Sequence, residues 1–474
     1  MHEIELKLQI PEQKRAALIK AFETKTTRYI DLHARYFDTA DSKLAAHHIA
    51  IRIRKEGSVW IQTLKGAGEN HLQRYEHEVN LGEADQAPEL DLSVYEQEPH
   101  ARQLLKKALG DDLGALTLKF ETIVQRAYRI VQLNDSKIEV CLDRGVVQDT
   151  DEKREIFEIE FELQQGKVSD LIQLTQQWVK KYHIWIDVRS KAERGNLLAQ
   201  HLLVSPATTA SSAKYDKKAQ PEVILKSLIA AGLRHALPNL AAIADQVAES
   251  EHYYQAYLAL RQLNSSLQLF QDFAPTKLLE HIAHFQQMLK TVHQAYVATT
   301  LYPAILLLTE QADPVHLDLS HANHLFTQTG STLLILDLLA FSLDETETEP
   351  QSKVKNSVKK QFKQQIALFN KDLKQFAQLN SGEKCQTLSH IQSWGDALAL
   401  CTPFTMKKHL ALYVQLQPEL NESFDLWIAQ QYATSYLTSP EQQFFVLGWL
   451  ANQIPQQQAQ LEVTFKKLQK KMDA

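Results

Sequence analysis

Cysteine is scarce in this chain. Cys141, Cys385 and Cys401 are the only three in 474 residues, and they stand far apart. That excludes a disulfide framework and a zinc site built from clustered thiolates, and it fits a reducing compartment. Long hydrophobic runs are missing too. The longest, around Leu333 to Phe341, is interrupted by Asp337 and is too short to span a bilayer. The opening MHEIELKLQI has no basic stretch followed by an apolar core, so no signal peptide is expected. There is no excess of basic charge either. The net charge of -6 argues against a general nucleic-acid binder while leaving room for a local basic site that takes a phosphorylated ligand. These absences together lead us to expect a cytoplasmic protein that acts neither on nucleic acid nor in a membrane.

What is present falls into two halves with different periods. At this length a chain is expected to form two or three domains. Up to about residue 200 the pattern has period two, the mark of strands with unlike faces. Ile4, Leu6 and Leu8 alternate with Glu3, Glu5 and Lys7, and Ile51 and Ile53 alternate with Arg52 and Arg54. Ile138, Val140 and Leu142 alternate with Glu139, Cys141 and Asp143, and Ile159, Phe161 and Leu163 alternate with Glu158, Glu160 and Glu162. Two helical stretches interrupt the strands. One begins at Pro11 and carries Leu18, Ile19 and Phe22; the other carries Leu171, Ile172, Trp178, Val179 and Tyr182 on one side. A stretch rich in Ser, Thr, Ala and Lys, from Leu203 to Pro221, reads as a linker. From Glu222 onward Leu, Ala and Gln recur at helical spacing, as in a helical bundle. The expected fold class is therefore α+β: an antiparallel β domain with flanking helices over 1–203, a linker over 204–221 and an all-α domain over 222–474.

The charged faces of the strands leave two readings open. In one they meet solvent while the apolar faces pack on helices, as antiparallel sheets commonly do. In the other the strands close into a barrel with the charges inside. The stripes are nearly pure charge, and acidic and basic stripes fall on different strands, which a solvated face does not require. Buried charges of this kind are costly alone. A polyanionic phosphate would answer the basic groups and a divalent metal the carboxylates, with hard oxygen ligands favouring magnesium or manganese over zinc.

The stripes also carry a family resemblance. Glu3-Ile4-Glu5-Leu6-Lys7 matches the ExExK signature of the CYTH (adenylate cyclase–thiamine triphosphatase) superfamily, also called triphosphate tunnel metalloenzymes. Tyr36-Phe37-Asp38-Thr39, Ile51-Arg52-Ile53-Arg54, Gln62-Thr63-Leu64-Lys65-Gly66 and Arg74-Tyr75-Glu76 follow in family order. Arg126, Asp143, the glutamate strand from Glu158 and Ser190-Lys191 complete the series. The helical half resembles a CHAD domain, often fused behind CYTH, as in bacterial inorganic triphosphatases. After position 221, however, the only arginines are Arg234 and Arg261, and basic residues do not outnumber acidic ones.

The resemblance implies a triphosphate tunnel that hydrolyses inorganic triphosphate to diphosphate and phosphate with Mg2+ or Mn2+, two ions by expectation. Glu3, Glu5 and two of Glu158, Glu160 and Glu162 would hold metal, the first two of those three being favoured, with Glu76 and Asp143 as further acidic ligands. Lys7, Arg52, Arg54 and Lys65 would act on the triphosphate, joined in binding it by Arg74, Arg126 and Lys191. Glu78 is expected at the rim, Glu139 in a structural role, and Tyr36 and Asp38 shaping the strand or a turn. The helix pairs His281/His284 and His321/His324 are not expected to bind metal. Alternative functions are a nucleoside or thiamine triphosphatase, an adenylate cyclase on the same barrel, or a non-enzymatic polyphosphate-binding protein. Polyphosphate is a further possible partner, and the helical domain a possible homo-oligomer interface.

Overall fold

A computed structural model describes residues 2–68, 73–110, 116–210, 213, 215, 219–307, 317–344, 363–364, 367–368, 371, 374–400 and 407–473. It divides into two compact units. One comprises Met1–Pro206 with Thr327–Leu336, the other Ala207–Phe326 with Asp337–Ala474.

Among the described residues, alternating side chains in the first unit give nine strands: β1 (His2–Gln9), β2 (Arg28–Asp38), β3 (Ala50–Glu56), β4 (Val59–Ala67), β5 (Gln73–Glu83), β6 (Thr117–Leu133), β7 (Ser136–Gln148), β8 (Lys153–Gln165) and the short β9 (Trp185–Ile186). They lie in the order β5-β4-β3-β2-β6-β7-β8-β1-β9, and the named pairings are antiparallel. β1 also pairs with β5 at the other end of the order, through His2↔Tyr75, Glu3↔Arg74 and Ile4↔Gln73. The sheet is therefore barrel-like, with an inner and an outer face.

Helices cover the apolar outer face. These are α1 (Glu12–Ala21), α2 (Lys43–Ala46), α3 (Pro99–Leu109) and α4 (Val168–Tyr182). Leu171, Ile172, Trp178, Val179 and Tyr182 of α4 are all buried, as their spacing implies. Trp178 meets Phe161 of β8 edge-on at 5.6 Å and Phe22 at 6.0 Å. Each such side chain removed from water contributes about 1.5–3 kcal/mol. On the other side Ala101, Leu105 and Leu109 of α3 pack with Ile51, Leu64 and Tyr75. Asp38 makes the turn after β2. Its buried carboxylate accepts the backbone N–H of Thr39 (2.7 Å), Leu44 (2.9 Å) and Ala45 (3.0 Å), tying α2 to the strand end.

The first unit holds more helix than its sequence suggested: α2, α3 and α5 (Lys191–Ala199) add to the two expected. The last changes the picture of the inner face. Leu198 packs among Leu32, Ala34, Tyr36, Phe120, Val124, Val147 and Ile156. Strand register places these on the charged face: Tyr36 and Ala34 lie opposite Arg52 and Arg54, Val124 two residues from Arg126, and Ile156 two from Glu158. Part of the inner face is thus apolar and packed by α5. Its Gly195 lies so close to Phe120 that a Cβ there would sit 2.0 Å from the ring.

The second unit is helical: α6 (Pro221–Ala244), α7 (Ser250–Leu269), α8 (Thr276–Glu280), α9 (Ile282–Leu307), α10 (Ser320–Thr327), α11 (Thr329–Ser342, which begins in the first unit), α12 (Ser381–Leu400), α13 (Lys407–Tyr436) and α14 (Pro440–Asp473). α7 packs against α6, α9 and α12, and α13 against α9, α12 and α14. Arg261 of α7 is buried and forks onto Asp396 of α12, Nε to Oδ2 at 2.6 Å and Nη2 to Oδ1 at 3.1 Å. Among the described residues no single helix is long and apolar enough to cross a membrane; the bent pair α10 and α11 meets that test by length and composition only.

Candidate active site

Strand register carries the charged stripes onto one face. Lys7 lies opposite Glu160 and Glu5 opposite Glu162 across β1 and β8; Asp143 lies opposite Glu158 across β7 and β8, and Arg126 opposite Asp143 across β6 and β7. Around the other side Arg52 lies opposite Thr63, and Lys65 opposite Glu76. Period-two alternation puts the intervening Ile, Leu and Phe side chains on the outer face, under the helices.

Asp143, Glu158 and Glu160 are buried and form the acidic centre, each offering an oxygen within 4.8 Å of the others. Cations surround them. Lys191 Nζ, at the start of α5, lies 2.6 Å from Asp143 Oδ2, 2.5 Å from Glu158 Oε1 and 2.8 Å from Glu160 Oε1. Lys7 Nζ lies 3.1 Å from Glu158 Oε1 and also donates to Glu160. Arg126 donates from Nε and Nη2 to the two oxygens of Asp143, both at 2.7 Å, and from Nη2 to Glu160 Oε2 at 2.6 Å. Ser190 caps α5 by accepting the N–H of Glu193, which sets where Lys191 starts.

Burial alone would push the carboxyl pKa values up, but the neighbouring cations prevail. Glu160 is held well below the usual range by Lys191, Lys7 and Arg126. Glu158 is lowered by Lys191, Lys7 and Arg194, and Asp143 by Arg126 and Lys191. Lys7 and Lys191 are raised in turn: burial works against them, and the carboxylates outweigh it. All five groups are therefore ionised at neutral pH.

In the second part of the face three basic groups, Arg52, Arg54 and Lys65, stand among Glu56, Glu76 and Glu78. Lys65 Nζ is 3.0 Å from Glu76 Oε1, whereas Arg52 Nη2 stands 3.6 Å from Glu76 Oε1 and 4.0 Å from Glu78 Oε1. Arg54 pairs with Glu56 and stands 3.8 Å from Glu78. The Nε atoms of Arg52 and Arg54 are buried with no hydrogen-bond partner among the described residues. Burial lowers the Arg54 pKa, and the charges of Arg52 and Arg126 lower it further, so the basic group and the acidic centre share one electrostatic space. Tyr36, stacked on Phe120 at 4.5 Å, lies beside Arg52; burial would raise its phenol pKa, but the nearby guanidinium lowers it.

The geometry thus gathers Lys7, Arg126, Asp143, Glu158, Glu160 and Lys191 at one centre and Arg52, Arg54, Lys65, Glu76 and Glu78 beside it. Glu5 and Glu162 face each other across β1 and β8, half-buried and outside the three-carboxylate group. Glu162 lies opposite Glu139 on its other side. The backbones of Glu3 and Arg74 pair, and their side chains lie outside the described residues. Asp187 and Arg189 border the site without having been assigned there, and Arg194, a weaker basic candidate in the sequence, joins them. Their alternation in Asp187-Val188-Arg189, directly after a strand, was the signal available in the sequence.

The three carboxylates suit a hard divalent cation: they supply oxygen only, and a cationic centre, the Lys191 ammonium, already lies between them. The half-served guanidiniums suit an anion with several oxygens.

Known proteins resemble parts of this chain. The family model described as the CYTH domain matches residues 1–195. An inorganic triphosphatase of Haemophilus influenzae is 32% identical over 204 residues, covering 42% of this chain and 55% of that protein, so the match spans about half of the relative's length. Among solved structures, a putative adenylyl cyclase from Hippeastrum, described as having a dominant triphosphatase activity, is 19% identical and covers 43% of this chain and 97% of its own, with a TM-score of 0.30. A CHAD domain from the plant Ricinus communis is 17% identical over 56% of this chain and 97% of its own, with a TM-score of 0.40.

Proposed function

Starting from the CYTH domain that residues 1–195 form, we propose that the chain is a metal-dependent triphosphatase that cleaves inorganic triphosphate to diphosphate and phosphate. The observation that carries this reading is the meeting of opposites on one buried face: three carboxylates with oxygens within 4.8 Å of one another, beside two arginines whose Nε–H groups have no acceptor among the described residues. The similarity to the inorganic triphosphatase of Haemophilus influenzae supports the choice of substrate.

In this reading Asp143, Glu158 and Glu160 hold a magnesium or manganese ion, with Glu5, Glu76, Glu162 and Glu3 as further carboxylates for that ion or a second. When bound, the metal supplies Lewis-acid charge at the phosphate oxygens and at the attacking water. Arg52 and Arg54 bind the triphosphate through planar forks that take two oxygens at once, while Lys7, Lys65 and Lys191 act as point charges. Arg126 and Arg74 complete the anion-facing set. Charge that develops on the transferring phosphoryl group and the leaving diphosphate meets cations already in place, so little reorganisation is needed during the reaction. No side-chain nucleophile is required.

A phosphate-release panel tests this: inorganic triphosphate, ATP, thiamine triphosphate and long polyphosphate, each with magnesium and with manganese. The reading expects inorganic triphosphate to have the highest kcat/KM. A protein that releases phosphate from none of the four with either metal refutes it.

A further inference from the structure

The triphosphatase reading leaves Asp187 without a task, although it is buried and heavily bonded. Its backbone N–H donates to the Lys7 carbonyl at 3.1 Å, just beyond the β9 pairing with Leu8 and Gln9. Its Oδ1 accepts from the backbone N–H of Arg189 (2.9 Å) and from Arg189 Nε (3.0 Å), and its Oδ2 accepts from Arg189 Nη2 (2.7 Å) and Arg194 Nη2 (2.8 Å). The other terminal nitrogen of Arg194 lies 3.2 Å from Glu158 Oε2. One guanidinium therefore stands between two carboxylates. Glu158 turns its second oxygen, Oε1, toward Lys7 and Lys191 in the acidic centre.

We propose that Asp187 is a positioning residue which, by sharing the charge of Arg194 and fixing its plane, keeps Glu158 aimed into the acidic centre with its negative charge available to a divalent cation. The proposal rests on the triphosphatase reading above. Asp187 itself touches none of Asp143, Glu158 and Glu160, so its effect passes through Arg194. Without the Asp187 carboxylate, more of the Arg194 charge falls on Glu158, and a cation there meets stronger opposition. Burial would raise the Asp187 pKa, but Arg189 and Arg194 hold it at about 2, so the device is charged throughout the neutral range.

The test is calorimetric titration of Mn2+ into the full chain without substrate, for wild type, Asp187→Asn, Arg194→Gln and the double variant. Outer partners of metal ligands typically change affinity by about 10–100-fold, and Asp187→Asn is expected to weaken Mn2+ binding at the low end of that range. In the Arg194→Gln background the same substitution is expected to cost nothing more. Wild-type affinity in Asp187→Asn overturns the proposal. So does an equal loss in both backgrounds, which is the mark of a structural role. Should Asp187→Asn fail to fold, Arg194→Lys replaces it: one ammonium cannot span both carboxylates, and unchanged Mn2+ affinity there overturns the proposal. Wild type that takes up no Mn2+ overturns the proposal together with the reading beneath it; wild type that binds Mn2+ but leaves triphosphate intact overturns the reading alone.

Discussion

Replacing Lys191 by methionine keeps the unbranched stem, one atom shorter, and removes a charge that lies 2.5–2.8 Å from three carboxylates. Removing one partner of a buried ion pair typically costs about 3–5 kcal/mol. Lys7 and Arg126 still reach the same carboxylates, so the low end applies, about 3 kcal/mol. For a unit of this size that lowers the melting temperature by roughly 6–12 °C. The assay is differential scanning calorimetry in EDTA, near neutral pH, following the transition of the barrel unit. Manganese should then stabilise the variant more than wild type, because in wild type the ion competes with the ammonium; saturation at about a hundred times Kd contributes about 2.7 kcal/mol. Acid separates this from a packing defect. Asp143, Glu158 and Glu160 have folded pKa values below their ordinary ones. They contribute stability that is present above the ordinary carboxylate pKa and lost as pH falls through the folded values. Lys191 helps lower all three, so the gap between wild type and variant is widest near neutral pH and closes on acidification. A variant that melts with wild type in EDTA, or a gap that widens in acid, refutes the reasoning.

Lys7→Ala and Arg54→Ala should each keep the wild-type circular dichroism spectrum and lose about 100-fold or more in triphosphate turnover; near wild-type hydrolysis by either removes that residue from the site. Chelation with EDTA should abolish phosphate release, and magnesium or manganese should restore it; activity that survives chelation contradicts a metal-dependent reaction. Gly195→Ala puts a Cβ 2.0 Å from the Phe120 ring and should destabilise the barrel unit by about 1–3 kcal/mol in denaturant unfolding; an unchanged midpoint would mean that α5 does not pack on the inner face. Asp396→Asn leaves Arg261 buried without its charged partner and should cost the helical unit about 3–5 kcal/mol in a thermal melt; a cost below about 1 kcal/mol would show that water serves the guanidinium.

Alternation was enough to find β1, β3, β7 and β8, because a residue step of two is fixed by the pleat and survives any register, while β2, β4 and β5 were marked by family motifs and the longest strand, β6, was not read as one. Alternation also separated the two composition regimes, and the apolar stripe of α4 was plain from its spacing. Register itself was not legible. That Glu158 and Glu160 join Asp143 while Glu162 faces Glu5 depends on which residues pair across β7, β8 and β1, and several registers preserve the same alternation. The helix α5 was missed for a different reason. It is nine residues long, and its apolar contacts come from Leu198, Ala192 and Ala199, too few to stand out as a face. Lys191, placed in the series by its motif alone, is the first residue of that helix, which packs on the inner face. Asp187 escaped because its link to Glu158 runs through Arg194, and Glu158 is distant from it in sequence.

Triphosphate and a divalent metal are proposed to meet on this inner face. A crystal structure with a non-hydrolysable triphosphate analogue and Mn2+ tests this directly. The account expects anomalous manganese density against Asp143, Glu158 and Glu160, with the analogue's phosphates against Arg52, Arg54 and Lys65. Manganese and analogue bound elsewhere on the chain, with that face unchanged, would contradict it.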